Sequence, residues 1–201
     1  MSENFRNKYK GTTARLQTWD YTWDGSYFIT ICTADRAHLF GEIENQKMQL
    51  SRLGVIADIL WNELPHRNPN IKLGEFVVMP NHIHGILILN NTSEPLNPST
   101  TTPIEPTTTN PKNQKMAIIS PKPNSISTII RSYKSAVTKH AYRLEIENGW
   151  QPRFYEHIIR NDAAFKRISS YIINNPLQWD KDKFAGKNNE SINHQPIDQP
   201  Q

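Results

Sequence analysis

Two periods run through the apolar positions of this chain. Tyr27-Phe28-Ile29-Thr30-Ile31-Cys32-Thr33 concentrates β-branched and aromatic residues and predicts a strand. From Ser51 to Leu64 the apolar residues fall at Leu53, Ile56, Leu60 and Leu64, a helical stripe, with Pro65 as its stop. Lys72–Met79 and His82–Leu89 are strand-like runs joined at Pro80-Asn81, a turn signal, and together they predict an antiparallel hairpin. A second helix opens at Ser125 and carries Ile126, Ile129, Ile130, Tyr133, Val137, His140, Ala141 and Leu144 at intervals of three and four. Phe154–Ile159 predicts a fourth strand, and Asp162, as a cap or first-turn acid, opens a helix that runs to about Asn175.

The resulting order is strand, helix, strand, strand, helix, strand, followed by one more helix. That order predicts an α+β fold: a ferredoxin-like (RRM-like) antiparallel sheet with helices on one face, plus an added C-terminal helix. Residues 1–25 read as an N-terminal arm, 26–179 as the domain and 180–201 as a polar tail. Within the domain, residues 91–124 are dominated by Thr, Pro, Asn and Ser. That composition offers too little apolar surface to offset the entropy of ordering, so it predicts a disordered insertion.

A chain of 201 residues accommodates one compact domain with tails. Its formal net charge of +4 permits a polyanionic partner without requiring one. Cys32 is the single cysteine, which excludes an intrachain disulfide and reads as a buried small hydrophobe of an intracellular protein. The first ten residues lack an apolar core, and no stretch approaches the roughly 18 apolar residues that span a bilayer, so the expectation is a cytoplasmic protein with no membrane partner.

The candidate chemistry starts at His82-Ile83-His84. Alternate residues of a strand share a face, so the two imidazoles project side by side and Ile83 points away. Such a pair can ligate a metal; it also occurs in sheets whose histidines are only hydrogen-bonded. Near the other end, Tyr171 and Asn175 lie four residues apart at the flank of a stripe made by Phe165, Ile168 and Ile172, so both can look into one cleft. Pro176 disfavours helix at Asn175, which places the asparagine at a helix end.

Met79-Pro80-Asn81-His82-Ile83-His84, together with Trp150–Arg160 and Tyr171-Ile172-Ile173-Asn174-Asn175-Pro176, resembles the REP-associated tyrosine transposases. These form a branch of the single-tyrosine HUH family, named for its His-hydrophobic-His pair. The resemblance runs from about Tyr27 to Trp179. It implies a metal-dependent enzyme that cleaves and rejoins single-stranded or hairpin DNA, including repetitive extragenic palindromes, and that associates with the nucleoid when bound to DNA. Tyr171 would be the catalytic nucleophile, leaving the 5′-phosphate on the tyrosine. His82, His84 and Asn175 would hold Mg2+ or Mn2+. Relatives act as monomers or homodimers.

Tyr155 is the rival nucleophile, and His157 could be a ligand, a DNA contact or a structural residue, the last being favoured. Arg131, Lys134, Arg153 and Arg160 are candidate DNA-binding residues, with Lys139 and Arg143 on the same basic helix face as the first two. Two other classes compete. One is an RRM-like module that only binds nucleic acid, although no RRM-type aromatic signature is present. The other is a metal hydrolase using the His pair, which would need Glu75 or Glu156 as an acid nearby.

Overall fold

The structure, a computed structural model, describes residues 20–91, 122–181 and 185. The core strands are β1 (Gly25–Cys32), β4 (Ile71–Met79), β5 (His82–Leu89) and β6 (Tyr155–Ile159), arranged β4-β5-β1-β6 with every neighbouring pair antiparallel. This is the ferredoxin-like order that the element sequence predicts. A small separate hairpin, β2 (Gly41–Glu44) with β3 (Lys47–Leu50), was not foreseen. Its turn residues Asn45 and Gln46 both adopt positive φ, which suits a tight two-residue turn.

Helices α1 (Arg52–Asn62) and α3 (Ile126–Arg143) cover one face of the sheet. Ser51 caps α1 by accepting from the Gly54 amide, and Ser125 caps α3 by accepting from Thr128. Ile129, Ile130, Tyr133, Val137 and Ala141 of α3 are buried with Leu53, Ala57 and Trp61 of α1 and with Tyr27, Ile29, Ile31, Ile83 and Leu87 of the sheet. Tyr133 Oη donates to the Ala57 carbonyl at 2.8 Å and ties the two helices together. Gly85 admits the Trp61 ring, which would lie 2.4 Å from any Cβ there.

Helix α4 (Asp162–Ile173) lies on the opposite face. Its Phe165, Ile168 and Ile172 pack on Phe28, Val77, Ile86, Ile88 and Ile159. The added helix therefore makes the fold a three-layer one, with the His face of β5 beneath α4.

Several local expectations are corrected. Pro65 does not end the helical region; it opens a short second helix, α2 (Leu64–Arg67), where its missing amide is harmless. Of the two roles expected of Asp162 it takes the second, as the first-turn acid of α4, while the cap is Asn161, whose side chain accepts from the Ala164 amide. Cys32 is half-buried at the end of β1 rather than fully enclosed. Leu144 is exposed just beyond α3, outside the helix stripe that would have buried it.

The arm, the insertion and the tail fall largely outside the described residues. The two ends bracketing residues 92–121 meet the same segment: the Asn91 amide donates to Asp24 and its side chain to the Thr22 carbonyl, while Lys122 pairs with Asp20.

Candidate functional site

The pleat of β5 places His82 and His84 on the α4 face, where both are buried, with ring centroids 4.4 Å apart. Their register partners across β1 are Cys32 and Thr30. His84 Nδ1 and Thr30 Oγ1 are 2.9 Å apart, and His82 Nδ1 lies 2.9 Å from Asn81 Oδ1. Each ring is thus oriented through Nδ1, an arrangement typical of histidines that offer Nε2 to a metal.

Tyr171 comes from the last turn of α4. Its Oη lies 3.2 Å from His84 Nε2, and its ring meets Phe28 edge-on at 6.2 Å. The residue is 42% exposed, so the phenol faces solvent on one side and the histidine on the other. Asn175 follows the C-cap of α4, with its amide donating to the Ile172 carbonyl and its own carbonyl accepting from Gln178. It is 2% exposed, and its Oδ1 is buried with no hydrogen-bond partner among the described residues. An orphaned buried carbonyl oxygen costs free energy unless something positive meets it.

That orphan is the test of the metal reading, and the residues fit. Two imidazoles and an amide oxygen form a neutral set that leaves positions for phosphate and water. Among the described residues no group of three His, Cys, Asp or Glu side chains could hold an ion, so the amide is needed to complete a three-ligand site.

Beyond the predicted residues, a short helical turn, Pro176–Lys181, carries Trp179 over the site. The indole stacks on His82, with centroids 6.1 Å apart at 28°, and meets His38 edge-on at 5.6 Å. Thr30, Asn81 and Trp179 escaped the sequence reading. Alternation along β1 puts Thr30 on the face of Phe28, but which face meets the histidines depends on cross-strand register.

The remaining candidates lie as follows. Tyr155 is half-exposed on β6, paired in register with Thr30, and its ring sits 6.5 Å from Phe28. It therefore shares the site face without touching a histidine. His157 is exposed and pairs with Phe28, away from the His pair. Glu156 projects from β6 to the face opposite its neighbours Tyr155 and His157, away from the histidines, and Glu75 is exposed on β4.

Arg131, Arg153 and Arg160 are exposed. Lys134 is not on an open basic face: its Nζ donates to the carbonyls of Gln151 at 2.8 Å and Arg153 at 3.1 Å, and sits 5.6 Å from the Trp150 ring centroid. Burial lowers its pKa from the ordinary lysine value. The helix's polar stripe passes beneath the 150–153 loop, and the lysine is engaged in holding that loop.

Fold and site together define a ferredoxin-like α+β domain with a His-hydrophobic-His pair on a central strand and a tyrosine-bearing helix across it. The chain is 37% identical over 174 residues to an uncharacterised protein of Haemophilus influenzae (strain Rd), covering 85% of this chain and 90% of that one, and it belongs to the same family. No family model matches. Its fold is that of a REP-associated tyrosine transposase solved bound to a REP hairpin: 19% identity, TM-score 0.50, 82% of this chain and 74% of that chain. A crystal structure of a transposase candidate from Deinococcus radiodurans R1 aligns over 80% of this chain and 97% of that chain, at 15% identity and a TM-score of 0.37. No helix among the described residues is long and apolar enough to cross a membrane.

Proposed function

We propose that the protein is a transposase-type enzyme of the HUH single-tyrosine class, which cleaves and rejoins single-stranded or hairpin DNA through a 5′-phosphotyrosine, in the cytoplasm and on the nucleoid. The observation that carries this reading is the 3.2 Å approach of Tyr171 Oη to His84 Nε2. The hairpin bound to the solved transposase of the same fold supports hairpin DNA as the substrate class. Nucleophile and His pair belong to one chain, so a single protomer holds a full set of reacting groups.

His82 and His84, through Nε2, and Asn175, through Oδ1, would hold Mg2+ or Mn2+. When bound, the cation supplies Lewis-acid polarisation of the scissile phosphate and neutralises charge on the displaced oxygen. Tyr171 supplies the nucleophile. A phenol has a reference pKa of about 10, so its proton must leave before or during attack, and the exposed side of the ring gives it a path to solvent. The phenolic oxygen bonds to phosphorus, the bond to the 3′-oxygen breaks, and that oxygen takes a proton from water. The new phosphotyrosine diester keeps the bond energy, so a 3′-hydroxyl reverses the step and joins strands without a nucleotide cofactor.

The hydrolase alternative is weakened by Glu156, which projects to the face of the sheet opposite the His pair. The test uses labelled hairpin DNA with single-stranded flanks and a blunt duplex of the same sequence, with Mg2+, Mn2+ or EDTA, read on denaturing gels. The expected result is metal-dependent cutting beside the hairpin with a covalent protein–DNA band. Tyr171→Phe should lose both while keeping DNA affinity, and Tyr155→Phe should keep them. An adduct that persists in Tyr171→Phe, or equal cutting of the blunt duplex, would overturn the assignment.

A further inference from the structure

Asn81 sits in the turn between β4 and β5, 1% exposed, immediately before the first histidine. Its side-chain Nδ2 donates to the Arg36 carbonyl at 3.1 Å. A backbone carbonyl only accepts, so this contact assigns the amide's orientation. Oδ1 is left facing His82 Nδ1 at 2.9 Å. An amide oxygen also only accepts, so His82 must carry its proton on Nδ1. In the neutral ring Nε2 then keeps its lone pair.

His84 differs. Its Nδ1 meets the Thr30 hydroxyl and its Nε2 meets the Tyr171 hydroxyl, and each hydroxyl can donate or accept. Both tautomers of His84 are therefore satisfied, whereas one tautomer of His82 is.

The support for Asn81 is built from the segment after β1. The Asn81 carbonyl accepts from the Thr33 amide at 2.9 Å and from Thr33 Oγ1 at 3.0 Å, which pins the turn. Asp35 and Arg36 adopt φ of 50° and 56°, left-handed values that non-glycine residues seldom take. The excursion aims the Arg36 carbonyl back at the amide. Backbone strain of this kind persists only where the surroundings over-determine it, and it concentrates around functional sites.

We propose that Asn81 is a positioning residue: together with the Arg36 carbonyl it locks His82 in the Nδ1–H tautomer, so that one ligand of the site is preset and only His84 has to adjust when a cation binds. The inference rests on the metal reading above for its purpose, but the lock itself is a property of the metal-free protein. Outer contacts of this sort typically alter metal affinity by about 10- to 100-fold when removed.

The test is long-range 1H–15N correlation on histidine-labelled protein in EDTA, with Mn2+ affinity measured separately by electron paramagnetic resonance. In the wild type, His82 should show a protonated Nδ1 and a bare Nε2. Asn81→Ala should shift His82 toward the Nε2–H form and weaken Mn2+ binding by about 10- to 100-fold. Asn81→Asp, which retains an acceptor, should keep the Nδ1–H form and bind Mn2+ at least as well as the wild type. A purely structural role would lower thermal stability in both variants and leave the tautomer unchanged. An Nε2–H His82 in the wild type, or an unchanged tautomer in Asn81→Ala, overturns the proposal. Should Asn81→Ala fail to fold, loss of the Nδ1–H signal in Asn81→Asp does the same. A wild type that binds no Mn2+ but loses the lock in Asn81→Ala supports the lock and overturns the metal reading instead.

Discussion

Replacing Asn175 with leucine tests the proposed metal site through stability rather than activity. The side chain is 2% exposed and its Oδ1 has no hydrogen-bond partner among the described residues. A buried carbonyl oxygen left unmet costs about 1–3 kcal/mol, and leucine has nearly the same shape without the polar atoms. The backbone bonds of residue 175, to Ile172 and Gln178, survive the change. In EDTA, Asn175→Leu should therefore be more stable than the wild type, by up to about 1–3 kcal/mol. For a chain of this size that is a rise in Tm of about 2–12 °C. With a metal the gap narrows. A cation at 100 times its Kd stabilises the wild type by about 2.7 kcal/mol, and a tenfold weaker Kd cuts that to about 1.4 kcal/mol at the same concentration. The assay is thermal unfolding of both proteins in EDTA and across an Mn2+ series. A variant that is less stable in EDTA would mean that the oxygen carries no penalty. An Mn2+-induced shift equal in both proteins would remove Asn175 from the ligand set.

Two further outcomes follow from the region around Asp20. Because Asn91 and Lys122 both return to residues 20–24, deleting 93–121 and bridging the ends with a short Gly-Ser linker should change stability by no more than about 1 kcal/mol, since closure entropy varies slowly with loop length. Cooperative thermal unfolding checks this, and an insoluble or non-cooperative product refutes it. The Lys122 hydrogen bond, helped by Thr22, lowers the Asp20 carboxyl from 3.8 to about 2. A pKa depressed by folding contributes stability above the unfolded value, and that contribution is lost as pH falls from about 4 toward 2. The stability difference between wild type and Asp20→Asn, measured by urea unfolding from pH 6 to pH 2, should therefore shrink to nothing at the acid end; a difference independent of pH would count against the bridge.

Local pattern located the principal strands and helices because each of their residues obeys its own period. The stripe of α3 was legible at Ile126, Ile129, Ile130, Tyr133, Val137 and Ala141, and all six are buried. Where a single residue was read without its surroundings, the reading failed. Pro65 looked like a terminator and instead lies in the first turn of a new helix, where a proline's missing amide would have had no partner within the helix anyway. Lys134 looked like part of a basic face and instead holds the 150–153 loop, because the loop that crosses the helix is not encoded in the helix.

The same division applies to the site. That His82 and His84 share a face was legible from the residues alone, because alternation is intrinsic to a strand, and so was the placing of Tyr171 and Asn175 at the close of a helix, because proline follows. Tertiary structure alone decided that Tyr171 meets the His pair: α4 crosses to the face that α1 and α3 leave open, and brings Tyr171 Oη to His84 Nε2. It alone decided how the two rings are held, since Thr30 reaches His84 across 54 residues and the Arg36 carbonyl reaches Asn81 across 45. Periodicity is a short-range property of the backbone, whereas register and layer order arise from burying both faces of one sheet at once, so no single segment contains them.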